Sequence, residues 1–486
     1  MKLLKEILNN ISIVELSGST SVEISNIQFD SRKVTKGSLF VAQKGSAYDG
    51  HLFIEKAIEL GAGAIMVQEI EHYPSDITVI KVLDTHLALG LAAANFYDHP
   101  SKKMKMVGVT GTNGKTTIAT LGFNLFRALG YNTGLLSTVV NMINEEEIPS
   151  THTTPDAVSL NELLAKMVSE GCTHCFMEVS SHAIHQHRIA GLDFDVAAFT
   201  NITHDHLDYH GTFAEYIKAK KMFFDALSKE AVAIVNGDDK NGLVMLQNTK
   251  AKKQTYGLKT MSDYKGKVIS NSFAGLEMNI NGKEAWFKLV GDFNAYNLLC
   301  IYGIGLALEE DIDELLIAMS TLETAKGRFQ SAISNSGIIS VVDYAHTPDA
   351  LENVLQTIGS LREKAGKIIT VVGCGGNRDS TKRPIMAQIA TKFSDQVILT
   401  SDNPRNEKPE DILDQMYAGV SISFQRKVLR MTDRREAIKL AITLANSGDI
   451  ILVAGKGHED YQEIEGIKHH FSDFEELENS FKHLNK

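Results

Sequence analysis

The chain has 486 residues, of which 43% are hydrophobic and 22% charged, and its formal net charge is −11 at pH 7. This length suggests about three domains with ample apolar core. The excess of acidic residues disfavours binding to nucleic acid or to an anionic membrane surface, so any anionic ligand must be held by local cations. The first residues soon become polar and no long apolar run follows. We therefore expect neither a signal peptide nor a membrane span.

The first hundred residues alternate short strand-like and helix-like segments. We predict strands at residues 24–27, 38–42 and 64–67 and helices at residues 53–60 and 85–97. Residues 30–32 and the glycine-bounded loop 45–51 are typical of turns, since Asp and Ser side chains hydrogen-bond the nearby backbone without any ligand. A boundary near His99 closes this small α/β segment.

The next stretch has the pattern of a phosphate-binding loop. An apolar run at residues 106–110 enters a glycine-broken loop, and helical periodicity begins at Lys115 and ends at Gly130. In this arrangement the backbone N–H groups and the helix N-terminus face an anion. The lysine neutralises phosphate charge, and a hydroxyl such as that of Thr116 holds Mg²⁺. Val109 stands where the plain form of the motif has glycine.

Three stretches after the loop carry polar groups that are candidates for metal binding or catalysis. The apolar strand at residues 174–178 ends in Glu178, where nucleotide-binding folds place an acid that holds a metal ion. Residues 201–211 contain three histidines and two aspartates, which are possible metal ligands or acid–base groups. Residues 216–224 place aromatic side chains and lysines on a helix. By itself that pattern indicates an amphipathic surface helix.

The last segment, after a boundary near residue 332, alternates strands and helices. We predict strands at residues 339–342, 368–372, 396–400 and 450–454 and helices at residues 348–364, 409–418 and 434–446. This alternation favours a doubly wound sheet, with functional groups beyond the carboxyl ends of the strands. A glycine-rich turn at residues 373–376 lacks the spacing of a dinucleotide-binding loop, so we expect no dinucleotide there.

The four cysteines indicate a reducing compartment rather than a disulfide framework. Cys172 and Cys175 have the spacing of half a zinc site, but no second pair follows at a matching distance. We therefore expect no zinc and a cytoplasmic location.

Taken together, these motifs resemble those of the Mur ligases, the ATP-dependent amide-forming family that builds the peptide of the bacterial cell-wall precursor. The resemblance extends from residues 30–32 to residues 455–459, and residues 111–117 have the family's form of the phosphate loop, which accounts for Val109. It implies a monomeric α/β ligase that uses ATP and Mg²⁺ in peptidoglycan synthesis, and so serves cell shape and division. The implied domains are a uridine-nucleotide domain (1–99), a central P-loop ATP-binding domain (100–332) and a Rossmann-like doubly wound amino-acid domain (333–486).

The resemblance also assigns site residues by position. The implied ATP positions are Gly111, Thr112, Asn113, Gly114, Lys115, Thr116, Thr117, Asn294, Asn297, Arg328, Asp343 and His346. The implied positions for the UDP-muramoyl-dipeptide are Ser31, Ser46, Ala47, Tyr48, His152, Thr153, Thr154, Ser180, Gln186 and Arg188. The implied amine-binding positions are Arg383, Asp402, Asn403, Pro404, Arg405, Gly455 and Glu459. The implied Mg²⁺ positions are Thr116, Glu178, His206 and Lys220, the last as a carbamate (N6-carboxylysine). Lys115, Lys220, Glu178 and His206 are expected to be catalytic.

Within the family, the chain is most similar to members that add meso-2,6-diaminopimelate to the D-glutamate of UDP-N-acetylmuramoyl-L-alanyl-D-glutamate through an acyl phosphate. The far carboxylate and ammonium of that amine call for a fixed cation and an acceptor. We predict Arg405 and Glu459 for these roles, with Arg383 as a second candidate cation. The alternative is that Arg405 merely pairs with a neighbouring acid such as Glu407.

Other functions remain open. A lysine-adding ligase of the same family is the nearest alternative, and folylpolyglutamate synthase is more distant because it lacks a uridine-binding domain. A P-loop ATPase that uses hydrolysis for motion is an alternative from another class. A purely binding module would leave several phosphate and metal ligands unused.

Overall fold

The computed structural model describes residues 1–45, 48–69, 76–203, 205, 207–362 and 365–486, apart from the side chains of residues 207 and 208. The described residues form two compact units. The first contains residues 1–256, 260–263 and 300–315, and the second contains residues 257–259, 264–299 and 316–486. Among the described residues, no helix is both long and apolar enough to cross a membrane.

The first unit begins with a small α/β layer structure. Its strands are β1 (Lys2–Leu3), β2 (Ile13–Ser17), β3 (Glu23–Ile24), β4 (Asn26–Gln28), β5 (Ser38–Val41), β6 (Ala64–Val67) and β7 (Thr78–Val82). Its α-helices are α1 (Leu4–Ile7), α2 (Ile54–Glu59) and α3 (Thr85–Phe96). The main sheet has the order β2-β7-β6-β5-β4 and is parallel except for the β2–β7 pair. The single strand predicted at residues 24–27 is wrong, because the strand is interrupted at Ser25. The part before it, β3, pairs with β1, and the part after it, β4, pairs with β5.

The same unit continues into a larger sheet built around the strand that enters the phosphate loop. Its strands are β8 (Lys105–Thr110), β9 (Thr133–Leu136), β10 (Val140–Ile143), β11 (Glu146–Pro149), β12 (His174–Glu178), β13 (Val196–Phe199), β14 (Val232–Asn236) and β15 (Lys252–Gly257). The helices are α4 (Lys115–Ala128), α5 (Ala157–Ser169), α6 (Ser181–His185), α7 (Leu207–His210), α8 (Phe213–Asp225) and α9 (Gly242–Met245).

Strand order explains where the functional groups of this sheet lie. From β11 to β15 the order is β11-β10-β9-β12-β8-β13-β14-β15, and all pairs from β9 onward are parallel. The strands β8, β12 and β13 are buried throughout apart from Lys105, as expected for a parallel sheet covered on both faces. Their carboxyl ends therefore lie side by side at one edge of the sheet, with β8 between β12 and β13.

The second unit has an antiparallel part and a doubly wound part. The strands are β16 (Tyr264–Ser272), β17 (Gly275–Ile280), β18 (Lys283–Phe287), β19 (Gln330–Ile333), β20 (Ile339–Asp343), β21 (Ile368–Val372), β22 (Gln396–Leu399), β23 (Val428–Arg430), β24 (Ile450–Ala454), β25 (Tyr461–Ile464) and β26 (Ile467–His470). The remaining helices of the chain are α10 (Asp292–Ala307), α11 (Ile312–Thr321), α12 (Pro348–Leu361), α13 (Lys382–Phe393), α14 (Pro409–Tyr417), α15 (Arg434–Leu444) and α16 (Asp473–Leu484).

The doubly wound sheet has the order β19-β20-β24-β21-β22-β23, with only the β19–β20 pair antiparallel. One apolar cluster packs α12, α13 and α14 on one face, and a second packs α15 and α16 on the other. The predicted doubly wound sheet is thus confirmed. Its parallel strands bring the polar segments after β20, β24 and β22 to the same edge.

Candidate active site

The phosphate loop takes its shape from two glycines. Gly111 has φ +149°, and a Cβ there would lie 1.9 Å from Oγ1 of Thr200. Gly114 has φ +89° and caps α4, whose first residue is Lys115. Side chains are disfavoured at both positions, so glycine allows the backbone to turn directly from β8 into the helix. The predicted strand, loop and helix are confirmed, with Thr116 and Thr117 buried in the first helical turn.

The segment after β13 holds this loop in place. The backbone N–H groups of Thr112 and Asn113 donate to the carbonyl and side-chain oxygens of Asn201 at 2.8 and 3.0 Å. Oγ1 of Thr200 donates to the Asn113 carbonyl at 2.6 Å. Hydrogen bonds to the segment after β13 therefore fix the conformation of the phosphate loop.

Two lysines converge on one carbonyl of the loop. The amines of Lys115 and Lys220 each donate to the Gly111 carbonyl at 2.9 Å, and Lys115 also donates to the Thr112 carbonyl at 2.8 Å. Lys220 is 1% exposed, beside the ring of Tyr216. For Lys220, the prediction of a surface helix is wrong, since it lies on the buried face of α8. Burial, together with the charge of Lys115, holds the pKa of Lys220 well below its usual range.

A buried carboxylate lies at the end of the strand next to β8. Glu178 is opposite Val109 in the β12–β8 register and is 1% exposed. Its Oε1 accepts from the backbone N–H of Thr138 at 2.7 Å, whereas Oε2 has no hydrogen-bond partner among the described residues. An uncompensated buried carboxylate oxygen is costly unless a cation meets it. Glu178 therefore fits the predicted Mg²⁺ position.

The rest of the predicted metal set is less complete. His206 lies outside the described residues, as do Ser46 and Ala47 of the predicted nucleotide loop. Within the described part of the chain, no group of three or more His, Cys, Asp and Glu residues is arranged to hold a metal ion. The cysteines, all four of them buried and free, form no such group either.

Several predicted dipeptide positions form one hydrogen-bonded cluster. Oγ1 of Thr154 donates to the Glu178 carbonyl at 2.8 Å and accepts from the Ser180 N–H at 3.1 Å. Arg188 donates to the Thr154 carbonyl at 2.8 Å and with two nitrogens to Oε1 of Gln186 at 3.0 and 2.7 Å. Tyr209, which the sequence motifs did not single out, accepts from Gln186 at 3.0 Å. The cluster joins the end of β12 to both ends of α6.

The neighbouring predicted positions are more exposed. Thr153 accepts from the Thr138 hydroxyl at 3.0 Å, and His152 lies on the surface beside Thr151. In the small N-terminal sheet, Ser31 begins a short 3-10 helix that Asp30 caps by accepting from the Arg32 N–H at 3.0 Å. The predicted turn chemistry is thus confirmed there. Tyr48 is 78% exposed, so its ring is available to a ligand.

In the second unit, the predicted nucleotide positions are tied to the start of α10 and the end of β20. Asn297 donates to the side-chain oxygen of Asn294 at 2.9 Å, and both are buried. Asp343 accepts from the backbone N–H groups of Phe329 and Ala345 at 2.7 and 2.8 Å. Burial raises the pKa of Asp343 to about 6, against the opposing charge of Arg328.

Aromatic packing completes this region. The Arg328 guanidinium lies over the Tyr344 ring, 4.5 Å from its centroid. The rings of His346 and His458 lie 4.6 and 4.9 Å from the same ring. His346 also contacts the Tyr344 carbonyl through Nδ1 at 2.9 Å.

The predicted amine positions surround a fully buried lysine that was not among them. The amine of Lys456 donates to Asn403 Oδ1 at 3.0 Å, Glu459 Oε2 at 3.3 Å and Asp402 Oδ1 at 3.4 Å. Gly455 is required beside them, because a Cβ there would lie 2.8 Å from Oδ2 of Asp402. Lys456 stands within the glycine-bounded motif at residues 455–459, so its sequence position was the available signal.

The two carboxyls of this cluster differ in electrostatics. Burial disfavours the charged form of Asp402, but Lys456 and Arg434 outweigh burial and hold its pKa below the usual range. Burial and the charge of Asp402 raise the pKa of Glu459, against Lys456. Glu459 is therefore the carboxyl of this cluster that a further cation would stabilise most.

The two predicted cations, Arg383 and Arg405, each pair with a glutamate, and the two ion pairs differ in burial and geometry. Arg383 is buried and donates to both carboxylate oxygens of Glu407 at 2.8 and 2.9 Å. Arg405, which follows the buried Pro404, pairs with Glu463 at 3.3 Å between Nε and Oε2. Arg405 therefore does pair with an acid, as the alternative expected, but that acid is Glu463 rather than Glu407.

A second buried ion pair underlies these loops. Arg434, at the start of α15, donates to both oxygens of Asp473 at 2.7 Å, and both side chains are fully buried. The same guanidinium donates to the Ala454 carbonyl at 3.1 Å, directly before Gly455. Arg434 thus links α16 to the loop that carries Lys456.

We expect Arg434→Met to lower the free energy of unfolding by about 3–5 kcal/mol, because Asp473 would keep a buried charge without its partner. Urea unfolding followed by the fluorescence of Trp286, the only tryptophan of the chain, would report on this unit. Arg435→Met is the matched control, since Arg435 is 58% exposed in its pair with Glu476. Equal shifts for the two variants would contradict the prediction.

Comparison with protein families gives three matches along the chain. Residues 109–305 match the Mur ligase middle domain, residues 327–457 match the Mur ligase glutamate ligase domain, and residues 23–97 match the catalytic domain of the Mur ligase family.

Similar proteins and structures cover nearly the whole chain. The chain is 59% identical over 472 residues to the UDP-N-acetylmuramoyl-L-alanyl-D-glutamate–2,6-diaminopimelate ligase of Cytophaga hutchinsonii, covering 97% of each chain. It is 54% identical to the ligase of the same name from Parabacteroides distasonis, covering 98% of this chain and 99% of that one. A solved structure of a ligase with this name has a TM-score of 0.72 and 33% identity, covering 100% of this chain and 99% of that one.

Proposed function

The chain belongs to the Mur ligase family, and we propose that it joins 2,6-diaminopimelate to the D-glutamate of UDP-N-acetylmuramoyl-L-alanyl-D-glutamate at the expense of ATP. The observation that carries this proposal is the 59% identity, across 97% of the chain, to a ligase with that name. The reaction belongs to peptidoglycan precursor synthesis. All three substrates are small molecules: ATP, diaminopimelate and the nucleotide-linked dipeptide.

The chemistry proceeds in two steps. The γ-phosphoryl group of ATP passes to the D-glutamyl γ-carboxylate, giving an acyl phosphate and ADP. The amine nitrogen then attacks the acyl carbon, expels phosphate and loses a proton, which leaves the amide. The protein mainly positions these groups and neutralises charge.

We assign phosphate binding to residues 111–117. The helix N-terminus at Lys115 presents the positive end of its dipole, and the lysine amine adds a full charge. That amine now donates to the carbonyls of Gly111 and Thr112, which are neutral acceptors. A phosphate oxygen would be a stronger, charged acceptor for it.

We assign the Mg²⁺ position to Thr116 and Glu178, with His206 and Lys220 completing the set. When bound, Mg²⁺ would neutralise phosphate charge and orient the transferred group. Glu178 supports this assignment because its Oε2 is buried without a partner among the described residues. Its other oxygen is fixed by Thr138, which sets the orientation of the carboxylate.

We also propose that Lys220 is carbamylated. Burial and the charge of Lys115 lower the pKa of Lys220 and so favour the neutral amine, the form that can add to the carbon of carbon dioxide with release of one proton. The resulting carbamate keeps one N–H group, which can still donate to the Gly111 carbonyl. The carbamate would place an anion beside the positive charge of Lys115, so that the two side chains attract each other.

For the dipeptide substrate we propose Thr153, Thr154, Ser180, Gln186 and Arg188, with Ser31 and Tyr48 for its uridine part. For the adenine nucleotide we further propose Asn294, Asn297, Arg328, Asp343 and His346. For the amine we propose residues 402–405, Gly455 and Glu459. The raised pKa of Glu459 supports its role as acceptor of the substrate ammonium, since that cation would stabilise its charged form. Arg383 is bound to Glu407 and is better suited to hold the loop than to meet substrate.

Three domains are proposed, ending near residues 99 and 329 and at the end of the chain. The second boundary is placed before Gln330 because residue 332 lies inside β19, which pairs with β20. A cytoplasmic location is proposed from the four buried free cysteines, and a monomer is proposed as the functional form.

The decisive experiment measures phosphate release with UDP-muramoyl-dipeptide, ATP and a panel of amines. We expect kcat/KM for meso-diaminopimelate to exceed that for L-lysine by about 10²-fold or more, and Arg405→Ala to lose most of that preference, because Arg405 is the cation that we propose for the far carboxylate. Arg426→Ala, in an exposed segment, is the matched control. Comparable kcat/KM for both amines would indicate the lysine-adding alternative, and phosphate release without any amine would indicate an ATPase.

A further inference from the structure

The β25–β26 hairpin follows Glu459 and lies along residues 402–405. Gln462 donates to the Asp402 carbonyl at 2.6 Å, and the Glu463 N–H donates to Asn403 Oδ1 at 2.9 Å. The Arg405 N–H donates to the Glu463 carbonyl at 3.0 Å, and the Glu465 N–H donates to the Arg405 carbonyl at 2.7 Å. The hairpin therefore binds the same segment for which we propose amine recognition.

The backbone of Arg405 is held in an uncommon conformation by these bonds. Its φ is +53°, in the left-handed region that long side chains rarely adopt. Such conformations persist where the surrounding structure fixes them, and they concentrate at binding sites. Here both the N–H and the carbonyl of Arg405 are bound by the hairpin. The direction of the Arg405 side chain thus depends on β25.

The ion pair of Arg405 is looser than that of the other predicted cation, Arg383. Its Nη1 donates to the Gly376 carbonyl at 2.8 Å, while its Nε meets a single oxygen of Glu463 at 3.3 Å. The two side chains are 21% and 25% exposed. Arg383 by contrast is buried and bonded to both oxygens of Glu407. Single contacts of this kind contribute little, so the Glu463 carboxylate can be displaced at low cost.

We propose that Glu463 is a specificity-determining residue whose carboxylate pairs with Arg405 until the far carboxylate of the substrate amine replaces it. This inference rests on the proposed function. When diaminopimelate binds, its far carboxylate pairs with the Arg405 guanidinium, and the Glu463 side chain moves into solvent. When lysine binds, Glu463 stays in place and Arg405 keeps a partner. Glu463 therefore weakens the preference that Arg405 creates.

The direction in which a substitution of Glu463 changes kcat/KM distinguishes a competing carboxylate from a residue that binds the substrate or supports the hairpin. Glu463→Gln removes the competing charge, so the substrate carboxylate binds Arg405 without displacing another carboxylate. Lysine, by contrast, leaves Arg405 without a charged partner in this variant. We expect kcat/KM for meso-diaminopimelate to rise about threefold to tenfold, and that for L-lysine to fall or stay equal. The ratio between the two amines should increase by about tenfold.

Glu465→Gln is the matched control, since it removes the same charge from the same hairpin at an exposed position. It should leave the ratio unchanged. In an Arg405→Ala background, Glu463→Gln should no longer alter the ratio, because the competition needs both groups. Circular dichroism and the thermal midpoint would establish that each variant folds, and Glu463→Ala should change the ratio in the same direction.

Other outcomes overturn the inference. A fall in kcat/KM for diaminopimelate in Glu463→Gln would mean that Glu463 itself holds the substrate or only supports the hairpin. An unchanged ratio, or failure of both Glu463 variants to fold, would also assign it a structural role. Absence of amine-dependent phosphate release in the parent protein would instead overturn the proposed function, and this inference with it.

Discussion

Lys115→Ala is expected to reduce amide formation by at least about 10³-fold, since charge stabilisation of a transferring phosphoryl group is among the largest catalytic effects. The residue opens α4, and its amine donates to the loop carbonyls of Gly111 and Thr112. Removing it therefore takes away a phosphate-binding charge without opening a cavity in the apolar core. Steady-state phosphate release with all three substrates would measure the loss.

The effect should fall on nucleotide use rather than on stability. We expect the thermal midpoint of Lys115→Ala to stay close to that of the parent, and its affinity for ATP to decrease. Lys103→Ala, at an exposed position before β8, is the matched control for the loss of one positive charge. Near-parent turnover in a folded Lys115→Ala protein would refute the assignment of residues 111–117 to phosphate.

The parts of this site that the sequence predicted are those set by local chain chemistry. Apolar runs ending in polar residues predicted β8, β12, β20 and β24, and glycines at 111 and 114 predicted the turn into α4. The alternation of strands and helices also predicted functional groups beyond the carboxyl ends of the strands, which parallel neighbours place at one edge of the sheet. The contact of Lys456 with Asp402 joins the segments after β24 and β22, and the ring contact of His458 with Tyr344 joins the segments after β24 and β20.

What could not be predicted depends on partners that are distant in the chain. Arg405 and Glu463 are brought together only by the β25–β26 hairpin, whose strands of four residues carry a mixture of polar and apolar side chains. Lys220 has ordinary helical surroundings in sequence, yet α8 turns that face towards the phosphate loop and buries it. The ion pair of Arg434 with Asp473 likewise joins two helices through residues that are 39 positions apart in the chain. Periodicity identifies a helix face but not what packs against it.

The partner of Arg405 also changes how amine preference is explained. If Arg405 had no partner, a lysine complex would leave a desolvated guanidinium, and discrimination of about 10⁴–10⁵ would follow. Because Glu463 already neutralises Arg405, the cost of binding lysine is smaller. The remaining discrimination must come from the one contact that diaminopimelate adds, namely its second carboxylate on Arg405, because lysine carries the same far ammonium. This reasoning sets our expectation for the parent enzyme nearer to 10².

Lys220→Ala is expected to lose at least about 10³-fold in kcat, because the proposed carbamate anion would be missing from the site that we propose for Mg²⁺. The parent residue is buried, its amine lies 2.9 Å from the Gly111 carbonyl, and its lowered pKa favours the neutral form, which is the form that takes up carbon dioxide. Small carboxylic acids such as formate or acetate should restore part of the activity of the variant, since they can place a carboxylate in the vacated space. The carbamate itself should incorporate isotope from labelled bicarbonate in the parent but not in the variant.

Lys218→Ala is the matched control, because Lys218 lies on the same helix with its side chain 71% exposed and paired with Glu215. It should retain parent activity and show no response to added carboxylic acids. The rescue separates the two roles that burial of Lys220 permits. A lysine needed only as a buried cation or as a packing group would not be replaced by an anion, whereas a carbamate would. Activity of Lys220→Ala equal to that of the parent would show that the phosphate loop works without this group, and a loss that no carboxylic acid relieves would assign Lys220 to holding the loop through Gly111.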